Sequence, residues 1–302
     1  MSFKINFKGL LFLSAVSLAS AIAVSCGNKP FQDQNKVIHA EAGVDSIENV
    51  IKNEISSYEW KVYLDHHRMA KAEEAYTPPS IATVFSDSKI NSKILQGNDQ
   101  LIAVDLPFKF LAFAEPDLNG AFLAYTSAEF IQKRHSLPDN LLSEFKLKQD
   151  EILRLFPEEI ISQTDLEQVG KGFAIIKMKS EFSFEETVNN LKATIKSIDG
   201  TKTFGTIDFR KDAHAYDIEL NPTTLILFGA PEPGAKAMKN TPKLGLDAFC
   251  QKLLIYENQE KEVWVAFNDI AELSKLYYDT STLPQKMINS RLKKNINASI
   301  TK

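Results

Sequence analysis

Hydrophobic and polar positions along the chain fall into two long stretches that repeat one order of elements. In the later stretch "GFAIIKMKSE" is apolar and alternates at its end, which predicts a strand. "SFEETVNNLKATIKSIDG" predicts a helix. Ser183 stands at its N-cap with Glu186 three residues on, a capping box; Val188, Leu191 and Ile195 fall at helical spacing, and Gly200 ends it. Strands follow at "TFGTIDF" and, after the Asn221-Pro222 turn, at "PTTLILFGA", with a short helix or turn between them at "RKDAHAYDIEL". "PEPGAKAMKNTP" predicts a turn into one or two helical turns. "KLLIYEN" and "EVWVAFND" predict a hairpin across Gln259–Lys261, and "IAELSKLYY" a closing helix.

The earlier stretch has the same order. "KVIHAEA" is the expected strand and "DSIENVIKNEISSY" the helix, with Asp45 as N-cap and Glu48 three later. "WKVYLDH", "HRMAKAEEAY" and "PSIATVFSD" supply strand, short helix and strand. "KFLAFAE" and "AFLAYTS" make a hairpin over Asn119-Gly120, and "AEFIQKRHS" closes the unit. Asp65 falls opposite Asp208, Pro79 opposite Pro222 and Phe85 opposite Phe228. From Asp105 to His135 the two stretches align without a gap at an offset of 142. Repetition on this scale points to duplication. The predicted class is α+β, two tandem β-α-β(4)-α units, each an antiparallel sheet with helices on one face. The expected boundaries are a leader at 1–25, a tether at 26–36, the first unit at 37–137, a connector at 138–169, the second unit at 170–279 and a polar tail at 280–302. Leu141, Leu142, Phe145, Ile152, Leu153 and Phe156 give the connector a helix with one apolar face, stopped by Pro157. The tail carries Arg291, Lys293 and Lys294. It is expected as a solvated, frayed helix, the alternative being contact with anionic lipid.

The N-terminus predicts an address. Lys4 and Lys8 precede an apolar run from Leu10 to Val24, 15 residues, short of the roughly 20 a membrane span needs. Ala23-Val24-Ser25-Cys26 resembles a bacterial lipobox, with Ala23 where Leu is usual. The resemblance implies cleavage before Cys26 and a lipid on its sulfur, which anchors the chain to a membrane. The alternative is a plain secretory signal cleaved near Ser25. Gly27 after Cys26 carries no inner-membrane retention cue of the Asp type, so the expected place is the periplasm-facing cell envelope, at the outer membrane by analogy. The only other cysteine, Cys250, is expected as a buried, inert thiol. The net charge of −4 argues against nucleic acid as a partner, since that binding needs a basic face.

The residues from "TIDFRKDAHAYDIELNPTTLILFGAPEPGAKAMKNTPKLGLD" through "KLLIYEN" to "VWVAFNDIAEL" resemble the family of domains of unknown function numbered 302, and the first unit does so in part. That family's pattern runs from an Asp-His pair through Pro-Thr-x-Leu-x-x-Phe-Gly, Asp-Leu-Pro-x-Lys and Tyr-Asn-Asp-Pro to Arg-His. The first unit keeps Asp65-His66, Asp105-Leu106-Pro107-Phe108-Lys109 and Arg134-His135. The second keeps Pro222-Thr223-Thr224-Leu225, Phe228-Gly229 and Asn268-Asp269, with Phe209 opposite His66 and Tyr277 opposite His135. The resemblance implies a fold and no activity.

His66, Lys109, Arg134 and His135 are the candidate ligand-binding residues, a polar pocket for an anion, a metal or a haem-like ligand if their elements converge. The structural alternative has His66 satisfying backbone groups after a strand and Arg134 pairing with Asp105 or Glu115. His66 and His67, adjacent on a strand, would face opposite ways. No Gly-rich phosphate loop, HExxH, GxSxG or CxxC occurs, so no catalytic residue, metal ligand or cofactor is assigned. The expectation is a lipid-anchored envelope protein acting as a non-catalytic module for a small ligand or an envelope protein, with its two units pairing within the chain. The alternative is an enzyme, or a redox- or metal-linked ligand binder, using His66, Lys109 and His135.

Overall fold

In a computed structural model, residues 34–302 are described; the leader, Cys26 and most of the tether lie outside them. The chain runs α1 (Gln34–Glu54), β1 (Glu59–Asp65), α2 (His66–Ala72), β2 (Ser80–Ser86), α3 (Ser88–Leu95), β3 (Phe108–Phe113), β4 (Phe122–Tyr125), α4 (Ala128–His135) and α5 (Ser143–Leu153). It continues through β5 (Ile175–Lys179), α6 (Phe184–Ser197), β6 (Lys202–Asp208), α7 (Phe209–His214), β7 (Thr223–Gly229), α8 (Pro231–Met238), β8 (Gln251–Glu257), β9 (Val263–Asn268), α9 (Ile270–Tyr278) and α10 (Leu283–Ile300). The class is α+β. Two antiparallel sheets form, one in the order β1-β2-β3-β4 and the other β5-β9-β8-β7-β6. Four strands of the second repeat the order of the first, and the capping box at Ser183 and Glu186 is made.

Four expectations are corrected. "KVIHAEA" is not a strand; it is the front of α1. The buried residues there are Ala40, Val44, Ile47 and Ile51, at helical spacing, while Ile38 is exposed. The first sheet therefore has four strands, and the connector covers the edge that a fifth would pair: Ile161 bridges Leu123, and the Ser162 N–H donates to the Leu123 carbonyl at 2.8 Å. Asp45 lies within α1 and caps nothing; its carboxylate pairs with Arg68. His66 and His67 open helix α2 and are not on a strand. The polar tail is α10, with Gln285, Asn289, Ile296 and Ile300 buried.

Side-chain alternation assigns each sheet an inner and an outer face. On β8, Leu253 and Ile255 join Ile226, Phe228, Val265 and Phe267 in a core under α6 and α10. Leu254 and Tyr256 point the other way, into a core shared with the first sheet. On the first sheet Thr83 faces α1, where its hydroxyl meets Glu48. Ala82 and its partner Leu111 face the second unit. The inner faces meet reciprocally. Helix α2 packs on α8 and α3 on α7; the 3-10 turn Gln100–Val104 packs on β7, β8 and β9, and the 3-10 turn Pro242–Gly245 on β2 and β3.

Gly245 lies where the two units pack tightly. A Cβ there would lie 2.9 Å from His66 Cε1, 3.0 Å from Leu111 Cδ1 and 3.1 Å from Met238 Cε. Gly245→Ala is expected to lower stability by about 1–3 kcal/mol through overpacking, read as a lower urea midpoint at unchanged m value.

Candidate functional site

The site grows from two aspartates placed alike. Asp105 follows the 3-10 turn Gln100–Val104 and precedes β3; Asp247 follows the turn Pro242–Gly245 and precedes β8. Each comes just before an inner strand that carries a lysine. Strand pairing sets Lys109 opposite Val84 and Lys252 opposite Leu227, so the two lysines hold equivalent positions. Both ammoniums reach Asp247 Oδ1, Lys109 at 2.5 Å and Lys252 at 2.9 Å. Thr126, just past β4, donates its hydroxyl to Asp247 at 3.1 Å, and Tyr277 of α9 donates its phenol O–H to Oδ2 at 2.8 Å.

The end of α4 supplies the other half. The Arg134 guanidinium, fully buried, donates to Asp105 Oδ1 at 2.7 Å, the Phe173 carbonyl at 2.7 Å, the Ala174 carbonyl at 2.9 Å and Asn268 Oδ1 at 2.8 Å. His135 Nε2 lies 2.7 Å from Asp105 Oδ2. Asn268 then donates its amide to the Asp247 carbonyl at 2.7 Å. One network thus runs from His135 through Asp105, Arg134, Asn268 and Asp247 to both lysines, across the junction of the two units. It holds three fixed cations and two carboxylates.

The charges are set by their neighbours. Burial alone would raise both carboxyls. At Asp105 the Arg134 guanidinium and the His135 ring outweigh it; at Asp247 the Lys109 and Lys252 ammoniums do, and both carboxyls sit well below the usual range. Burial, with the like charge of Lys252, brings the Lys109 ammonium down to about 8 against the pull of Asp247. At neutral pH Asp105 and Asp247 are therefore carboxylates, and each of their oxygens accepts a hydrogen bond. A general base needs a lone pair free to accept a proton near neutrality, and these carboxylates offer none.

A polar cavity of about 50 Å³ opens beside the network, lined in part by Thr126, Glu129, Gln163, Thr164, Asp247 and Tyr277. That is room for a few waters or a small polar solute. Lys243 holds one part of its wall. Its ammonium donates to Ser162 Oγ at 3.0 Å, the Gln163 carbonyl at 3.0 Å and Thr164 Oγ1 at 2.8 Å, and burial lowers its pKa to about 8.

Of the four residues singled out from sequence, Lys109, Arg134 and His135 join this network, and Arg134 pairs with Asp105. His66 joins none of these groups. Its Nε2–H donates to the Phe249 carbonyl, its Nδ1 lies 3.3 Å from Ser80 Oγ, and burial lowers its pKa, so the ring is neutral. It lines a separate apolar pocket of about 30 Å³ with Met69, Met238 and Cys250. The Cys250 thiol is buried and pushed up to about 12, again by burial. Among the described residues no group of three or more His, Cys, Asp or Glu side chains is placed to hold a metal ion.

Sequence reasoning missed Asp247, Lys252, Thr126, Tyr277 and Asn268 as members of a site. The fixed offset of 142 set Gln251 opposite Lys109 and so hid Lys252. The second unit has one more residue between its aspartate and its lysine, and only strand pairing reveals the shift. Tyr277, opposite His135, read as the loss of a histidine. Its phenol makes the same bond to Asp247 that His135 makes to Asp105.

Known proteins share parts of the chain. The "Fluoride-specific ion channel FluC 1" of Brucella suis biovar 1 (strain 1330) is 32% identical over 101 residues, 33% of this chain and 39% of that protein. The protein of the same description from Brucella abortus biovar 1 (strain 9-941) is also 32% identical over 101 residues, 37% of its length. The chain thus spans less than two-fifths of the length of these curated relatives. No helix among the described residues is long and apolar enough to cross a membrane. The crystal structure of an uncharacterized conserved DUF302 protein from Bacillus stearothermophilus aligns with 42% of this chain and 95% of that one, at 14% identity and a TM-score of 0.34. From β5 into α10, residues 176–299 match the family described as domain of unknown function DUF302.

Proposed function

We propose that the protein is a non-catalytic binding or interaction module held in the bacterial cell envelope by a lipid on Cys26, facing the periplasm from the outer membrane. Its two units are tandem copies of the DUF302 domain that pair within the chain as the subunits of a two-fold dimer would. The reciprocal packing of α2 on α8 and α3 on α7 supports the pairing. The observation that carries the functional reading is the network between the units. Every charged group in it is partnered, and it joins the halves rather than presenting a free acid, base or nucleophile. The candidate ligand site is the polar cavity over Asp247 and Tyr277. The enzymatic alternative asks His66, Lys109 and His135 to act together, and these three share no bonding partner.

Cell fractionation tests the anchor. Wild-type protein is expected in the membrane pellet with an acylated N-terminal cysteine, and Cys26→Ser in the soluble fraction; soluble, unacylated wild-type protein would leave a plain secretory signal. Native mass spectrometry of the purified protein tests the binding role. A small molecule that stays bound to wild type and is lost when Thr126→Val removes a hydroxyl from the cavity's wall is the expected result. Turnover abolished by His66→Ala would restore the enzymatic reading.

A further inference from the structure

The tail has a second use that its docking creates. Helix α10 has 18 residues, roughly 27 Å of helix. It carries Lys286, Arg291, Lys293 and Lys294 and no acidic residue, within a chain of net charge −4. Its inner face is committed. Ile296 and Ile300 enter the core under the second sheet, Gln285 donates to the Ala237 carbonyl at 3.0 Å, and Asn289 bonds the Asp269 carboxylate. That docking fixes the outer face. Leu283 is 69% exposed and Met287, one turn on, 45% exposed; Arg291 continues the same stripe, flanked by Lys286 and Lys294. Lys293 lies 3.8 Å from Asp269, whereas Lys286, Arg291 and Lys294 have no carboxylate partner among the described residues.

We propose that this outward face of α10 seats on anionic lipid headgroups, the cations against phosphate and the Leu283 and Met287 side chains in the acyl boundary. Unpaired cations beside exposed flexible apolar side chains, on a helix too polar to insert, are the arrangement an anionic bilayer surface recognises. An acidic protein would match the cations and leave Leu283 and Met287 unused. The contact is separate from the network and cavity described above, and it acts whether or not Cys26 is lipidated.

The test uses the full chain with a photo-crosslinking amino acid in place of Met287, mixed with phospholipid vesicles and read by mass spectrometry for lipid adducts. Adduct yield is expected to rise at least ~10-fold when about 30% of the lipid is anionic, since each basic residue near the surface contributes about fivefold. It is expected to fall back in about 0.5 M salt. Lys286→Gln, Arg291→Gln and Lys294→Gln together are expected to abolish the rise with no change in the urea midpoint, because these side chains are exposed and pair with no carboxylate among the described residues. Protein that floats with neutral and anionic vesicles alike but yields no adduct from either overturns this contact and leaves the anchor intact. Protein that floats only with anionic vesicles, with adducts, supports the contact and removes the anchor. Adducts with an added acidic polypeptide and none with lipid assign the face to a protein partner and overturn the proposal.

Discussion

Asp247→Asn is expected to lower the stability of the protein by about 3–5 kcal/mol, the cost of leaving buried cations without their counter-charge. The side chain is 1% exposed and accepts from Lys109, Lys252, Thr126 and Tyr277 at once. Asparagine keeps the shape and removes the charge, so two ammoniums in the junction lose the only carboxylate that either one touches among the described residues. The effect reaches both sheets, because Lys109 is on β3 and Lys252 on β8. Urea unfolding should show a single transition at a lower midpoint, or an early loss of the junction followed by the separate units. The sharper test is a comparison. Replacing the whole trio together, Lys109→Met, Lys252→Met and Asp247→Leu, removes charge and counter-charge alike, and should cost far less than Asp247→Asn alone. Equal losses would mean that the aspartate matters for its shape and hydrogen bonds, and that the charges it balances are unimportant.

The same trio shows what could and could not be read from the chain. Strand periodicity placed β2, β3, β7 and β8, because each is a short apolar run with turn residues at its ends. It failed at "KVIHAEA", where seven residues are too few to separate the two periods and the burial of Ala40 and Val44, four apart, decided for the helix. Lys109, Arg134 and His135 were legible as candidates because they stand in the Asp-Leu-Pro-x-Lys and Arg-His parts of the resemblance that the first unit keeps. Their partners were not. Asp247 is 138 residues from Lys109 and Asn268 is 134 from Arg134. Such pairs follow from how two sheets face each other, and neither periodicity nor local motif carries that. The basic tail illustrates the opposite failure. Its composition reads as solvated, yet Ile296 and Ile300, four apart, fill the core under the second sheet and hold the helix down.

The second large effect lies at the other face of the first sheet, and its sign depends on pH. Glu48 of α1 is 1% exposed, and Thr83 Oγ1 lies 2.8 Å from each of its carboxylate oxygens. A hydroxyl donates one proton, so it satisfies one oxygen at a time. The nearest cation, Lys52, is 3.9 Å away, and Asp45 and Asp65 add like charge. Burial outweighs the help from Thr83 and Lys52 and raises the carboxyl to about 7. In the unfolded chain it titrates near 4.5. The folded protein therefore holds a proton that the unfolded chain has lost between these values. Stability from the neutral acid is complete below about pH 4.5 and drains away as pH rises through 7, by about 3 kcal/mol in all. Glu48→Gln keeps the neutral shape at every pH. It should match wild type near pH 4.5 and exceed it increasingly toward pH 8, where wild type carries a buried carboxylate under α1. Urea midpoints of the two proteins across that range give the difference directly, free of the acid-sensitive pairs at Asp105 and Asp247 that both retain. Parallel curves would mean that water reaches Glu48 in solution and that α1 lifts from the sheet there. A widening gap shows that the docking of α1 on the first sheet weakens as the buried Glu48 carboxyl loses its proton.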